Sequence, residues 1–124
     1  MTNTCIRVLA DPVQIKDCKR ALNCLEDEIE SITKVFNLAG NPMRLKILFL
    51  LHREGQMCPC DLSDVLDISV GGVSQHLRKL KDGGLVKDKK VGKTIFYSLI
   101  EENVGLIFSS IDDLVNDNKK QLVS

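Results

Sequence analysis

The stretch that most constrains this chain runs from Ser69 to Leu80, with the sequence SVGGVSQHLRKL. Its apolar residues Val73, Leu77 and Leu80 are spaced as i, i+4 and i+7, which predicts one buried face of a helix. Ser69 can cap the start of that helix, and the two glycines at 83–84 can end it. The limits of the helix and its inward face are therefore set by local sequence.

The opposite face of this helix carries small and polar residues. At about 100° per residue, Gly71, Gln75 and Arg78 point away from the apolar side, with Ser74 and Lys79 beside them. A helix that enters a DNA major groove needs small residues for close approach, an amide for base edges and cations for phosphates. An ordinary solvated helix can have a similar composition, so the interpretation depends on the neighbouring segments.

Those neighbours complete a winged helix-turn-helix pattern. Residues 61–66 (DLSDVL) predict a short helix just before the turn, as in a helix-turn-helix. Residues 85–90 and 93–99 predict two strands joined through Val91-Gly92, a β-hairpin with a cation-rich tip. The sequence therefore predicts a mainly α fold with a β-hairpin wing.

Apolar patterns at the two ends of the chain predict a homodimer. After a helix start at Asp11-Pro12, a seam with alternating spacings of three and four predicts one long helix or two abutting ones. We call this the N-terminal seam; it comprises Ile15, Cys18, Leu22, Leu25, Ile29, Ile32 and Phe36. The last helix has a stripe of Val104, Ile107, Phe108, Ile111, Leu114 and Val115. The seam and the Ile107/Ile111/Leu114 part of the stripe exceed what the apolar central helix at 42–54 needs for cover.

The bulk composition fits one globular domain with an uneven charge. The 124 residues carry no net charge. Between Ser74 and Lys93, however, there are seven cationic residues and only two acidic ones, and a polyanion could dock on this segment. We expect an arm over residues 1–11, a winged helix-turn-helix DNA-binding and dimerisation domain over 12–119 and a tail over 120–124. No run of apolar residues is long enough to span a bilayer, and the N-terminal sequence shows no signal-peptide pattern. We therefore expect a cytoplasmic protein without a membrane partner.

The expected DNA-binding residues lie on the helix, at its cap and along the hairpin. Gln75 and Arg78 are expected to read base edges, and the polar groups around them to hold phosphates. The full set is Ser69, Gly71, Ser74, Gln75, His76, Arg78, Lys79, Lys87, Lys89, Lys90 and Lys93. No nucleophile–histidine constellation or glycine-rich phosphate loop favours an enzyme.

The segment Cys58-Pro59-Cys60 carries the metal chemistry that the residues suggest. Two thiols one residue apart can converge on a soft cation, and a thiol at a helix start is favoured as thiolate. Two donors are too few for a tight site, so Cys5 in the arm is the first choice for a further ligand, followed by Cys18 and Cys24. Cys18 is more readily a small core hydrophobe, whereas Cys24 lies off the seam. His52 and His76 are expected to bind backbone, solvent or phosphate rather than metal.

Together these segments resemble the ArsR/SmtB family of metal-responsive winged-helix repressors, from about Leu25 to Leu114. The resemblance rests on residues 38–48 (LAGNPMRLKIL), 57–62 (MCPCDL), 74–86 (SQHLRKLKDGGLV) and 92–99 (GKTIFYSL). It implies a homodimer that binds operator DNA without metal and releases it when a metal ion binds.

The Cys-x-Cys-Asp-Leu segment is similar to the thiolate site of the family's cadmium-, lead- and arsenic-sensing members. The cadmium/lead type adds cysteines from an N-terminal arm; Cys5 matches one of these positions, and Leu9 stands at the other. The arsenic type has a further cysteine where this chain has Ser63. The family's last-helix zinc site is not expected here, because Asn103 and Leu114 occupy its histidine positions. The implied inducer is cadmium, lead or mercury, with arsenite less favoured.

Two alternatives stay open on the residues. One is a thiol redox switch on the same scaffold, with Cys58 and Cys60 oxidising toward partner cysteines. The other is a zinc-stapled interaction module that never touches DNA. Metal uptake with retained thiols would separate a metal sensor from a redox switch, and salt-dependent DNA binding would separate both from the interaction module.

Overall fold

The computed structural model describes residues 9–105, 107–109, 112–113 and 116. The chain divides into two compact units, residues 1–32 and residues 33–124. Its elements are α1 (Pro12–Cys24), α2 (Glu26–Ala39), α3 (Pro42–Glu54), β1 (Gln56–Met57), α4 (Pro59–Leu66), α5 (Val70–Asp82), β2 (Val86–Val91) and β3 (Thr94–Leu99). Residues 101–105, 107–109, 112–113 and 116 are also helical. No helix among the described residues is long and apolar enough to cross a bilayer.

The N-terminal part of the chain forms two helices rather than one. Asp11 caps α1, because its Oδ1 accepts the backbone N–H groups of Val13 at 3.0 Å and Gln14 at 3.1 Å. The helix ends at Leu25, whose backbone leaves helical geometry and whose N–H donates to the carbonyl of Leu22. The apolar spacing predicted either one long helix or two abutting helices, and the structure contains two abutting helices.

The N-terminal seam is exposed in the chain. Leu22 keeps 60% and Phe36 53% of its surface accessible, and α1 contains no buried residue. Cys18 is exposed as well, so the prediction that it is a core hydrophobe is wrong for the single chain. The regular spacing identified an apolar face correctly, but the described residues do not bury it.

Helix α3 supplies three residues to the core of the second unit, which also includes Ala39 of α2. Asn41 caps this helix, since its Oδ1 accepts the N–H groups of Met43 at 2.9 Å and Arg44 at 3.2 Å. The buried residues of α3 are Ile47, Leu48 and Leu51. Leu45 is exposed, so this apolar helix is not buried all round. One side of α3 faces the core and the other carries partly covered apolar residues.

A three-stranded antiparallel sheet stands beside the helix-turn-helix. The strand order is β1-β3-β2, and β2 pairs with β3 from Val86↔Leu99 to Val91↔Thr94. This confirms the predicted hairpin. The short strand β1 adds two pairs, Gln56↔Ser98 and Met57↔Tyr97. Sequence alone did not indicate β1, because two residues are too few to show a period of two.

The last helical residues close the core. Val104, Ile107 and Phe108 are buried with the residues of α3 and α5. The assignment of Ile107 to a dimer stripe is therefore wrong, because its own chain covers it. Ile111, Leu114 and Val115 lie outside the described residues. His52 stacks on Phe108 with a centroid distance of 4.2 Å.

Candidate functional site

The helix α5 is held at both ends by the groups that its sequence predicted. The Ser69 hydroxyl accepts the N–H of Gly72 at 3.0 Å, and the N–H of Gly83 donates to the carbonyl of Lys79 at 3.0 Å. A Cβ at Gly83 would overlap the side chain of Leu38 in α2, so this end of α5 lies close against its neighbour. The Ser69 O–H can still donate to an external acceptor such as a phosphate, since Ser69 is exposed.

The two faces of α5 separate as predicted. Val73, Leu77 and Leu80 are fully buried. The outward residues Gly71, Ser74, Gln75, Arg78 and Lys79 are all exposed. Gln75 offers both donors and an acceptor, and Arg78 a planar fork of donors, which is the chemistry that reads base edges. The exposed face of α5 therefore carries the groups that bind polar, anionic ligands.

The turn before α5 is fixed by a side chain of α4. The Ser63 hydroxyl donates to the carbonyl of Ile68, and Asp67 takes a left-handed conformation with φ 57°. Ser63 stands where the arsenic-sensing pattern has a further cysteine. In this chain its side chain is used to hold the angle between α4 and α5.

His76 lies on the flank of α5 in a positively charged environment. Partial burial, then the nearby Arg44 guanidinium and the Lys79 ammonium, lower the pKa of His76 below its ordinary value. Arg44 belongs to α3 and its Nε atom is buried without a hydrogen-bond partner in the described part of the chain. Sequence reasoning missed Arg44, because packing rather than local spacing brings it next to α5.

The base of the wing is tied to the end of α5. Lys81 Nζ donates to Asp88 Oδ2 of β2 at 3.0 Å, and this bond raises the pKa of Lys81. Asp88 shares its side of the strand with Val86, which is buried. The burial of Val86 anchors the base of the wing beside α5, and the exposed Lys81–Asp88 pair adds a weak contact there.

The four predicted wing lysines do not form one patch. Alternation along β2 places Lys87 and Lys89 on one side and Lys90 on the other, together with Asp88. Lys93 lies in the turn at the tip, where Gly92 has φ 64°. All four lysines are exposed. A ligand beside the tip can reach Lys93, but the remaining lysines face two directions.

The two neighbouring thiols lie at a junction of the fold. Cys58 directly follows β1, which pairs with β3 of the wing, and it is the N-cap of α4. It is half-buried, and its side chain makes no capping bond. Cys60 is exposed in the first turn of α4. The pair is attached on one side to the wing sheet and on the other to the helix that precedes α5.

The thiols suit a soft cation but do not by themselves complete a site. Among the described residues, no group of three or more His, Cys, Asp or Glu is arranged to hold a metal ion. Cys18 and Cys24 are exposed free thiols. Cys5, the first choice for a further ligand, lies outside the described residues. Thiolates prefer thiophilic ions over hard cations, so the donor chemistry fits cadmium, lead or mercury.

Comparison with known proteins identifies the family. The sequence profile of the bacterial regulatory protein, arsR family, matches residues 41–88, from the cap of α3 into β2. An uncharacterized HTH-type transcriptional regulator of Methanocaldococcus jannaschii is 36% identical over 88 residues, which cover 71% of this chain and 99% of that protein. The chain belongs to the ArsR family.

Two further comparisons extend this result. A cadmium resistance transcriptional regulatory protein CadC homolog of Staphylococcus aureus is 40% identical over 73 residues, 59% of this chain and 60% of that relative's length. The solved structure of the transcriptional regulator HlyU from Vibrio vulnificus has a TM-score of 0.68 at 29% identity, covering 76% of this chain and 97% of that one. As an ArsR-family member the chain is a transcriptional regulator with a winged helix-turn-helix, not an enzyme.

Proposed function

We propose that this protein is a homodimeric repressor that binds operator DNA and releases it when cysteine thiolates bind a thiophilic metal ion. The proposed DNA binding is supported above all by the two contrasting faces of helix α5. Three apolar residues are buried on one side, and an amide, a guanidinium and small residues are exposed on the other. This surface matches what a helix in a major groove requires.

Each exposed group of the interface has a proposed role. Gln75 and Arg78 read base edges, and Gly71 lets the helix approach the groove. Ser69, Ser74, His76 and Lys79 hold phosphates beside the helix, and Lys93 does so from the tip of the wing. Of the other wing lysines, either Lys87 and Lys89 or Lys90 contribute, depending on which side of β2 faces the duplex. Burial of Val86 in the core supports this proposal, because it anchors β2 of the wing against α5.

The N-terminal seam supplies the proposed dimer contact. Leu22, Leu25 and Phe36 each expose about half or more of their surface to solvent in the single chain. A regular apolar stripe of this length on a water-facing helix is typical of a surface that a second helix covers. A second copy of the chain presents the same stripe, so a symmetric dimer buries both.

Cys58 and Cys60 are the proposed core of the metal site. Cys5 is the first choice for a third thiolate, with Cys18 or Cys24 as substitutes, and cadmium, lead or mercury is favoured over arsenite. The cadmium-resistance name of the Staphylococcus aureus relative agrees with this assignment. The two cysteines lie where β1 meets α4. If metal binding changes the angle between β1 and α4, it moves the wing, which pairs with β1, or α5, which packs against α4.

Metal and DNA then oppose each other by linkage. If the metal-bound geometry fits the operator less well, DNA weakens metal binding by the same factor, and such couplings are typically about 1–3 kcal/mol. The side chains that read DNA are not metal ligands in this scheme. Substitution of a metal-binding cysteine should therefore abolish the metal-induced release of DNA without lowering the affinity of the repressor for the operator.

A fluorescence anisotropy titration of duplex DNA tests the proposal. The reduced protein is first used to select a preferred duplex from a random library, and it is then titrated against that duplex and against random DNA. Gln75→Ala and Arg78→Ala should each lose about 1–3 kcal/mol on the selected duplex and much less on random DNA. Equal losses on both would show that this face does not read sequence.

Metal addition and thiol counting discriminate among the alternatives. Cadmium should release the selected duplex while all thiols remain titratable after chelation. Release that needs an oxidant and consumes thiols would assign the chain to redox sensing instead. Metal uptake without any salt-dependent DNA binding would indicate a zinc-stapled interaction module.

A further inference from the structure

We propose that Arg44 of α3, which lies outside the helix-turn-helix, forms with His76 and Lys79 a binding site for one backbone phosphate of duplex DNA. The proposal rests on the proposed DNA-binding function and adds to it a contact from a third helix. It assigns a role to an arginine that local sequence patterns did not single out.

The Arg44 side chain is placed for a ligand that the described residues do not supply. Helix α3 packs against α5, and Arg44 is half-buried there. Its Nε atom is buried and has no hydrogen-bond partner in the described part of the chain. Arg44 takes no part in the ion pairs of His52, Arg53 and Lys81. A buried donor without an acceptor costs free energy. Since Nε itself is out of reach of an external ligand, a phosphate would bind the other N–H groups of the half-buried guanidinium.

The local electrostatics favour an anion as well. Arg44 sits in the first turn of α3, at the positive end of the helix dipole, and that turn contains no acidic residue. The same guanidinium and the Lys79 ammonium both disfavour protonation of His76. A phosphate bound between these three groups would offset the repulsion among their positive charges and would favour protonation of His76.

The side chains, rather than the helix amides, would hold this phosphate. The N–H groups of Met43 and Arg44 already donate to Asn41 Oδ1. The guanidinium fork, the His76 ring and the Lys79 ammonium are left as donors. Since His76 and Lys79 flank the exposed face with Gln75 and Arg78, the anion that reaches them is a phosphodiester beside the groove being read.

Charge-changing variants at the two ends of α3 test the site. Arg44→Gln removes the charge but keeps a long side chain, Arg44→Lys restores the charge, and Arg53→Gln is the matched control. Arg53 is exposed and pairs with Glu54 at the far end of the same helix. Each protein is titrated by anisotropy against a random-sequence duplex over a range of salt concentrations, and circular dichroism checks that each is folded.

The slope of log K against log salt is the decisive readout. Arg44→Gln should reduce the slope by about one per protomer and weaken binding about tenfold per contact at 0.1 M salt. Arg44→Lys should restore most of the slope, and Arg53→Gln should leave it unchanged. An unchanged slope in Arg44→Gln, or an equal reduction in Arg53→Gln, would overturn the proposal.

A measurement on the wild-type protein keeps the proposal testable if Arg44→Gln does not fold. The His76 ring resonance is followed by NMR against pH with and without the duplex. The pKa of His76 should rise on DNA binding, and an unchanged pKa would contradict the site. Inorganic phosphate matched in ionic strength should not reproduce this rise; if it does, the site binds free anions instead. If the wild-type protein does not bind DNA at all, the proposed function itself fails, which differs from binding with an unaltered slope.

Discussion

Helix α5 and the N-terminal seam have equally regular apolar spacing but opposite surroundings. Val73, Leu77 and Leu80 of α5 are fully buried. Leu22 and Phe36 of the seam keep more than half of their surface exposed. A helical period therefore predicts that an apolar face exists, but it does not say what covers that face.

The neighbouring sequence accounts for the difference. The residues of α5 are followed by a hairpin and preceded by a short helix and a tight turn, so cover is available nearby in the chain. The seam runs through a strongly acidic stretch, Glu26 to Glu30, and its apolar stripe exceeds what the described core accommodates. In our account the missing cover is a second copy of the protein.

The largest expected effect contrasts the two stripes directly. Leu77→Ala should lower the free energy of unfolding by about 2–5 kcal/mol at every protein concentration, because it leaves a cavity in the core. Leu22→Ala should change stability only where the protein is dimeric. Urea denaturation at several protein concentrations measures both, and a comparable loss for Leu22→Ala in dilute monomer would remove the contrast.

The next effect concerns association. Leu22→Glu places a charge in the proposed dimer contact and should weaken dimerisation by at least about 30-fold, since a buried unpaired carboxylate costs at least about 2 kcal/mol. Val65→Glu, at a similarly exposed apolar residue of α4, is the matched control. Sedimentation equilibrium at micromolar concentration gives the mass of each, and an unaltered dimer in Leu22→Glu would contradict the seam's role.

A smaller effect tests the outward face of α5. A Cβ at Gly71 would meet only Ser69 Oγ at 3.9 Å, so Gly71→Ala should fit and stabilise the free protein by up to about 1 kcal/mol. The same methyl group should weaken DNA binding if the helix must approach the groove closely. Gly105→Ala, where no atom of the described residues lies within 4 Å of the added Cβ, should stabilise without affecting DNA binding. Equal DNA affinities in both variants would show that α5 does not need a small residue there.

The smallest expected effect is a pH dependence. The pKa of His76 is lower in the folded chain than in the unfolded one, so the unfolded state binds more protons between the two values. The free energy of unfolding should therefore fall as pH drops from about 6.5 to the folded-state pKa and lose nothing more from this residue below it. His76→Gln should lack this part of the pH dependence in urea denaturation. If the free energy of unfolding changed with pH equally in both proteins, folding would not alter the pKa of His76.

Local sequence was sufficient for α5, its cap and the hairpin, because each depends on residues close together in the chain. It was insufficient for β1, whose two residues are defined only by their pairing with Tyr97 and Ser98. It also placed Ile107 in a dimer stripe, although packing against α3 and α5 buries it. Arg44 was missed for the same reason, since its neighbour His76 is distant in sequence.

The site is a harder problem for sequence than the fold. Exposure of the predicted residues of α5 follows from helical geometry, so it could be anticipated. The distribution of Lys87, Lys89 and Lys90 over two sides of β2 follows from alternation along the strand, so it too could be anticipated once that strand was predicted. The use of Ser63 to hold the turn is a tertiary hydrogen bond that no spacing indicates.

The central claim is that the thiols at the junction of β1 and α4 control a DNA surface they do not belong to. Operator binding of Cys58→Ser and Cys60→Ser, measured by anisotropy with and without cadmium, tests it most directly. We expect both variants to bind the operator as the wild type does and to stay bound when cadmium is added. Cys5→Ser should need more cadmium for release, and less additional metal if Cys18 or Cys24 substitutes. If Cys58→Ser and Cys60→Ser were still released at the wild-type cadmium concentration, the sensing site would lie elsewhere and the account would be wrong.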